Sequence, residues 1–198
     1  MWKPVARLFL RLTGWQPEGT QPTAAKYVLI AAPHTTSWDL PFLLAFALVY
    51  DVRISWMGKH TLFRGPMGPV MRRLGGIPIR RHERGNMVER MARAFDGVER
   101  LTLVIPAEGT RRYVPYWKSG FYHVARTAGV PIVLGYLDYA RKRGGFGPAI
   151  KPTGEVKRDM DLIRAFYADK AGKYPHAFGE VRLKEESPSQ PPRNEAAD

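Results

Sequence analysis

Tyr27-Val28-Leu29-Ile30-Ala31-Ala32-Pro33-His34-Thr35-Thr36-Ser37-Trp38-Asp39 changes character halfway along. Tyr27 to Ala32 is uninterrupted and apolar, which reads as a short buried strand. Pro33 then closes the run, and Thr35, Thr36 and Ser37 are turn and cap formers, so the chain bends at this point. A helix is expected from about Trp38 to Tyr50, with Thr36 or Ser37 as N-cap and Pro41 tolerated in the first turn. His34 and Asp39 would stand about 140° apart on a continuous helix and on opposite faces of a strand, so they meet only across a bend. A carboxylate bonded to one imidazole nitrogen fixes the tautomer and leaves the other nitrogen free to take a proton, for instance from an alcohol. Taken alone, a histidine at a strand end is more often a structural or capping group.

Outward from this stretch, strands are expected at Val52–Met57, Ile77–Ile79, Leu101–Ile105 and Val130–Tyr136, and helices at Met67–Leu74, Met87–Gly97 and Ser119–Ala128. The alternation predicts an α/β fold whose functional groups gather at strand ends. Upstream, Val5, Leu8, Phe9 and Leu12 recur at helical spacing between Trp2 and Thr13, with Lys3, Arg7 and Arg11 as a second stripe. With Trp2 and Trp15 at its ends, this helix suits the headgroup layer of a membrane, where each basic residue contributes roughly 1 kcal/mol near anionic lipid. It equally fits an amphipathic helix docked on the domain. A polar link runs through Thr23, so residues 1–23 form an appendage to a domain at 24–184. Residues 185–198 are mostly Ser, Pro, Gln and charge with almost nothing apolar, and disorder is expected there.

Thirty-one Lys and Arg against eighteen Asp and Glu give a formal charge of +13, which attracts polyanions: nucleic acid, anionic membrane or phosphorylated carriers. The absence of cysteine excludes disulfides, thiolate metal sites and a cysteine nucleophile. The most apolar stretch, Leu40 to Tyr50, has eleven residues, whereas a spanning helix needs about 20, so no crossing of a bilayer is expected. Arg7 and Arg11 interrupt any signal-peptide core, and the N-terminus is expected to be retained. The histidines at 34, 60, 82, 123 and 176 show no metal-ligand spacing, and no metal is expected. Neither a Gly-x-Ser-x-Gly elbow nor a phosphate loop ending Gly-Lys-Ser/Thr is present, so simple hydrolases and nucleotide enzymes rank low.

Two further segments carry polar chemistry. Glu108-Gly109-Thr110-Arg111 follows an apolar strand, where a small residue lets backbone amides approach an anion and a guanidinium can grip phosphate. Gly75-Gly76-Ile77-Pro78-Ile79-Arg80-Arg81 puts two arginines at a strand end. Alone, the first is an ordinary turn and the second a solvated basic edge.

Together and in this order, the segments resemble the glycerolipid acyltransferase family, whose bacterial members include 1-acylglycerol-3-phosphate acyltransferases. His34 to Asp39 matches the family's His, four residues and Asp. Gly75 to Arg81 matches its Gly-rich strand ending in Arg, and Glu108 to Arg111 its Glu-Gly-Thr-Arg. Lys118 and Gly120 match the Lys and Gly that follow, and Val130-Pro131-Ile132-Val133 matches its last strand. The chain departs from the common pattern at Pro33, Arg80, Ala107 and Leu134. The resemblance spans roughly Tyr27 to Tyr139.

The resemblance implies a mixed, largely parallel β-sheet flanked by helices, to which the N-terminal amphipathic helix adds. It implies that His34 is a general base oriented by Asp39, and that Arg81, Glu108, Gly109, Thr110, Arg111 and Lys118 form the substrate-binding set. It further implies transfer of a fatty acyl group from acyl-CoA or acyl carrier protein, as co-substrate with no other cofactor, to a lysophospholipid hydroxyl. The leading acceptor is 1-acylglycerol-3-phosphate; an amino lipid or glycolipid hydroxyl is the alternative. The enzyme is expected to sit peripherally on the cytoplasmic face of an anionic membrane. A catalytically silent lipid-binding relative is a third reading. A basic nucleic-acid-binding protein is a remote alternative, and nucleic acid is not an expected partner, because the arginine pairs flank the matched blocks instead of forming one basic helix or tail.

Overall fold

The computed structural model describes residues 2–79 and 87–186. Among the described residues, seven strands, β1 (Gln16–Glu18), β2 (Lys26–Ala32), β3 (Ile54–Lys59), β4 (Gly76–Ile79), β5 (Leu101–Ile105), β6 (Ile132–Asp138) and β7 (Arg143–Ile150), make one sheet in the order β1-β7-β6-β2-β5-β3-β4. The stretch from β4 through β6 is parallel throughout. β7 returns antiparallel to β6, and β1 runs parallel to β7 at the edge, so the sheet is mixed and largely parallel as expected. The helices are α1 (Lys3–Leu12), α2 (Asp39–Val49), α3 (Met67–Arg73), α4 (Met87–Arg93), α5 (Gly120–Ala128) and α6 (Val156–Tyr167). Among the described residues no helix is long and apolar enough to cross a membrane.

Alternation along β2 divides the core. Val28 and Ile30 join Leu103, Ile132 and Leu134 on one face, covered by Phe121 and Tyr122 of α5 and Met160 and Ile163 of α6. Tyr27 and Leu29 join Val104, Val133 and Phe146 on the other, covered by Ala47 of α2 and by Phe63 of a 3₁₀ turn, His60–Phe63. α1 lies outside α2, docked through Ala6 and Leu10. Trp15 is wedged beside Phe42 and Tyr139, with ring centroids 4.5 and 4.8 Å away.

The elements named from sequence all form, within a few residues at their ends. β6 starts at Ile132 instead of Val130, because Gly129 takes a left-handed φ of 65° and the Val130 amide still donates to Ala125 at 3.0 Å, closing α5. α2 begins without the expected side-chain cap: Trp38 is its N-cap residue and makes no capping bond, while Thr36 Oγ1 accepts only a long bond from the Trp38 amide. β1 and β7 carry no apolar period that announces them; α6 does, with Val156, Met160, Ile163 and Tyr167 at spacings of four, three and four on its buried side, and the sequence reading passed over it. Glu185 and Glu186 were expected in the disordered tail, but they belong to a turn, Lys184–Glu186. Glu186 is tied there by the Leu183 amide at 2.6 Å and by Arg164. Residues 187–198 lie outside the described residues.

α6 is fixed by Asp159, which is 1% exposed and accepts from the Tyr122 hydroxyl at 2.7 Å, the Thr153 amide at 2.8 Å and the Thr153 hydroxyl at 2.9 Å. Asp159→Ala leaves the buried Tyr122 hydroxyl without its acceptor and frees the Thr153 turn, and urea unfolding should show a loss of about 2 kcal/mol.

Candidate functional site

The bend after β2 wraps around one carboxylate. Asp39 Oδ2 accepts from the Thr35 and Thr36 amides at 3.1 Å each and lies 2.9 Å from His34 Nδ1. Its Oδ1 accepts from the Tyr139 hydroxyl at 2.7 Å. Asp39 is 5% exposed, so its charge is held by these donors and not by water. An acceptor-only carboxylate leaves Nδ1 the donor's role, and Nε2 is then the imidazole's basic atom. Burial, and next the bond to Asp39, push the Tyr139 phenol far above its ordinary pKa, so it stays a donor.

Beside the bend, the chain leaves β5 through a turn in which the Gly109 amide donates to Pro106 at 3.1 Å and Gly109 takes a φ of 67°. Glu108 is 1% exposed, and its Oε1 accepts the His34 backbone N–H at 2.8 Å. Its Oε2 has no hydrogen-bond partner among the described residues. Burial raises its pKa to about 7, against the opposing pull of the His34 amide. Expected among the substrate-binding residues, Glu108 lies outside the cavity lining, and its carboxyl holds the His34 backbone.

Arg111 reaches across to donate to Ser37 Oγ. Both residues line a cavity of about 580 Å³ together with His34 and Asp39. The rest of that lining is mainly apolar: Leu40, Leu43, Phe46 and Ala47 of α2, Leu29 and Ala31 of β2, Trp56, Leu62, and Tyr136 and Phe146 farther along the sheet. The site is therefore an apolar chamber with an imidazole, a carboxylate and a guanidinium in its wall. Its size falls within the usual range for small-molecule pockets.

Gly109, Thr110 and Lys118 are outside the cavity lining. Lys118 packs over Gly109, where an added Cβ would come 3.0 Å from Lys118 Cγ, and the Lys118 amide donates to Ala107 at 2.7 Å. Arg81 lies outside the described residues.

Sequence reasoning missed Tyr139 and the irregular segment at residues 171–174 that backs the bend. Gly172 abuts Thr35, where a Cβ would meet Thr35 Oγ1 at 2.7 Å, and the Tyr174 amide donates to that hydroxyl at 3.2 Å. A tyrosine just past a strand end and a glycine in a Lys-rich stretch carry no local signal of either contact. Lys59, also in the cavity wall, was missed for the same reason.

Comparison with known proteins follows the same lines. The family model described as Acyltransferase matches residues 16–134, more than half of the 198. No curated protein matches the chain. Among solved structures, the fold is similar to the crystal structure of the 1-acyl-sn-glycerophosphate (LPA) acyltransferase PlsC from Thermotoga maritima. The TM-score is 0.59 at 15% identity, over 84% of this chain and 77% of that one.

The buried carboxyl makes a pH-dependent prediction. Because the folded pKa of Glu108 is about 7 against an ordinary 4.5, folding favours the neutral form. The stabilisation is full below the ordinary value and is lost as pH rises through the folded one. Unfolding free energies of the wild type, measured relative to Glu108→Gln, should fall on the order of 3 kcal/mol across that window. A flat difference would refute the assignment.

Proposed function

The chain belongs to the acyltransferase family of enzymes, and from that premise we propose that it transfers a fatty acyl group from a thioester carrier to a hydroxyl of a lysophospholipid. The observation that carries the reading is one cavity wall in which His34, backed by Asp39, adjoins both an apolar chamber and the Arg111 guanidinium. An acyl chain needs the first, a hydroxyl the base, and a phosphate the cation.

In this scheme His34 Nε2 takes the proton of the acceptor hydroxyl as its oxygen attacks the thioester carbonyl. The new O–C bond forms, the C–S bond breaks, and the proton passes from the imidazolium to the departing thiolate, so no covalent enzyme intermediate is needed. Asp39, held by four donors, keeps the ring in place and offsets the charge it gains. Arg111 holds the acceptor's phosphate, and Arg81, Gly109, Thr110 and Lys118 remain assigned to the same substrate by family resemblance. Acyl-CoA or acyl carrier protein supplies the acyl group, and 1-acylglycerol-3-phosphate, giving phosphatidate, is the leading acceptor.

α1 supports a peripheral membrane position, and the cytoplasmic face is the side assigned by family resemblance. Its inner side docks through Ala6 and Leu10, while Trp2, Val5, Leu8 and Leu12 stand 55–77% exposed beside Lys3, Arg7 and Arg11.

The test is to supply purified protein with acyl-CoA or acyl carrier protein and a panel of lysolipids, reading products by mass spectrometry. Phosphatidate from 1-acylglycerol-3-phosphate is expected; a product only from amino lipid or glycolipid acceptors would move the acceptor assignment. His34→Ala should lower turnover by roughly 10³-fold, and full activity in that variant would end the general-base reading. Tyr139→Phe should cost about tenfold in kcat, while Arg111→Ala should raise KM for a phosphorylated acceptor by about tenfold. Ala47→Phe, which fills the chamber, should shift the products toward shorter acyl chains.

A further inference from the structure

We propose that the segment from Lys59 to Leu74 is a second lipid-contacting element, which lies on an anionic bilayer beside the cavity and admits the acyl chain past Leu62. The inference rests on the lipid-substrate reading above and adds a surface that reading does not need.

The 3₁₀ turn and α3 bury only part of what they carry. Phe63 and Gly68 face the core, and Met71 packs against it. Met67, Val70 and Leu74, spaced by three and four residues along one helical side, are 53%, 46% and 37% exposed, and Leu62 is 49% exposed. Leu62 is therefore both cavity wall and surface, which marks an opening. The element shares its layer with α2, since Leu40, Leu43, Phe46 and Ala47 line the same cavity as Thr61 and Leu62. α1 is stacked on that α2, so its apolar stripe belongs to this side of the sheet.

Charge identifies the occupant. Residues 52–82 contain seven Lys and Arg and no Asp or Glu, and residues 1–17 contain three and none. Together they hold ten of the thirteen net positive charges. Lys59, Arg64, Arg72 and Arg73 are all exposed around the Met67-Val70-Leu74 stripe. A second copy of the chain placed on this face across a two-fold axis would set these cations against one another. Nucleic acid would accept the cations but leave the apolar stripe in water. An anionic bilayer accepts both, with apolar side chains below its headgroups and guanidinium groups among them.

The experiment is flotation of the full chain with phosphatidylglycerol/phosphatidylcholine vesicles and with phosphatidylcholine alone. The Met67→Ser/Val70→Ser/Leu74→Ser variant should partition onto anionic vesicles about tenfold or more weakly. Its turnover of a short-chain, water-soluble acceptor should remain unchanged, and its turnover of a long-chain acceptor embedded in vesicles should drop. The chain has no cysteine, so Val70→Cys carrying a fluorophore can report position. It should be shielded from an aqueous quencher on vesicles, whereas labelled Leu162→Cys on α6, equally apolar and 57% exposed, should not. Flotation of the triple variant like wild type, or loss of a dimer in that variant by light scattering, would overturn the proposal. Wild type that floats in an α3-dependent way yet acylates no lysolipid would instead fail the catalytic reading and leave the surface standing.

Discussion

Asp39 sits at the start of a helix with water excluded, and an isolated carboxylate there would be far too costly to keep ionised. Two amides of its own bend, an imidazole and a phenol satisfy it. The amides come from Thr35 and Thr36, so the bend cannot straighten without stripping Oδ2 of donors. The phenol comes from Tyr139, a hundred positions away, so the cluster closes only when β6 is paired beside β2. The direction in which His34 points is thus set by folding and needs no substrate to arrange it, which is what preorganisation requires.

The sheet supplies the remaining juxtaposition. β2 and β5 are adjacent and parallel, but their continuations leave on opposite faces, into α2 and α5. A crevice opens where such connections part. Both crossings of that crevice, Glu108 to the His34 amide and Arg111 to Ser37, join residues 74 positions apart. The two faces are filled differently. Beneath α5 and α6 stand Trp117, Phe121, Tyr122 and Tyr167, whereas Ala31, Ala47, Gly58 and Gly135 in the opposite wall leave the chamber open. A void of that size forfeits dispersion contacts. Nothing in the fold's own stability calls for it, and a ligand does.

Sequence reasoning reached most of the fold where the period was clean, but passed over α6, whose Val156, Met160, Ile163 and Tyr167 fall on one helical face. The runs Tyr27–Ala32 and Leu101–Ile105 announce buried strands, and turn formers after Pro33 announce the bend. β7 was illegible because Arg-Gly-Gly-Phe-Gly-Pro-Ala-Ile has neither alternation nor an apolar run, and β1 is a three-residue edge strand exposed throughout. In the site, His34, Asp39 and Arg111 were legible as chemistry at strand ends. The position of Glu108 was not, since burial is a tertiary outcome: a glutamate in a turn normally faces water, and this one is covered by the domain and turned toward His34. Tyr139 was hidden because a phenol becomes informative only once its acceptor is known.

Glu108 also bears on why the site tolerates a carboxyl with an unpaired oxygen. Its pKa of about 7 reflects burial first, but the nearby Asp39 charge raises it and the His34 imidazole, when positive, lowers it. Protonated, it leaves Asp39 as the dominant charge and spares the core a second anion. A cation developing on His34, as the proposed proton transfer requires, favours ionisation of Glu108, and the ionised form in turn stabilises that cation across poorly screened space. The two carboxylates then play unequal parts. Asp39 fixes the ring through Nδ1, while Glu108 holds the backbone of the same residue with a carboxyl that titrates near neutral pH.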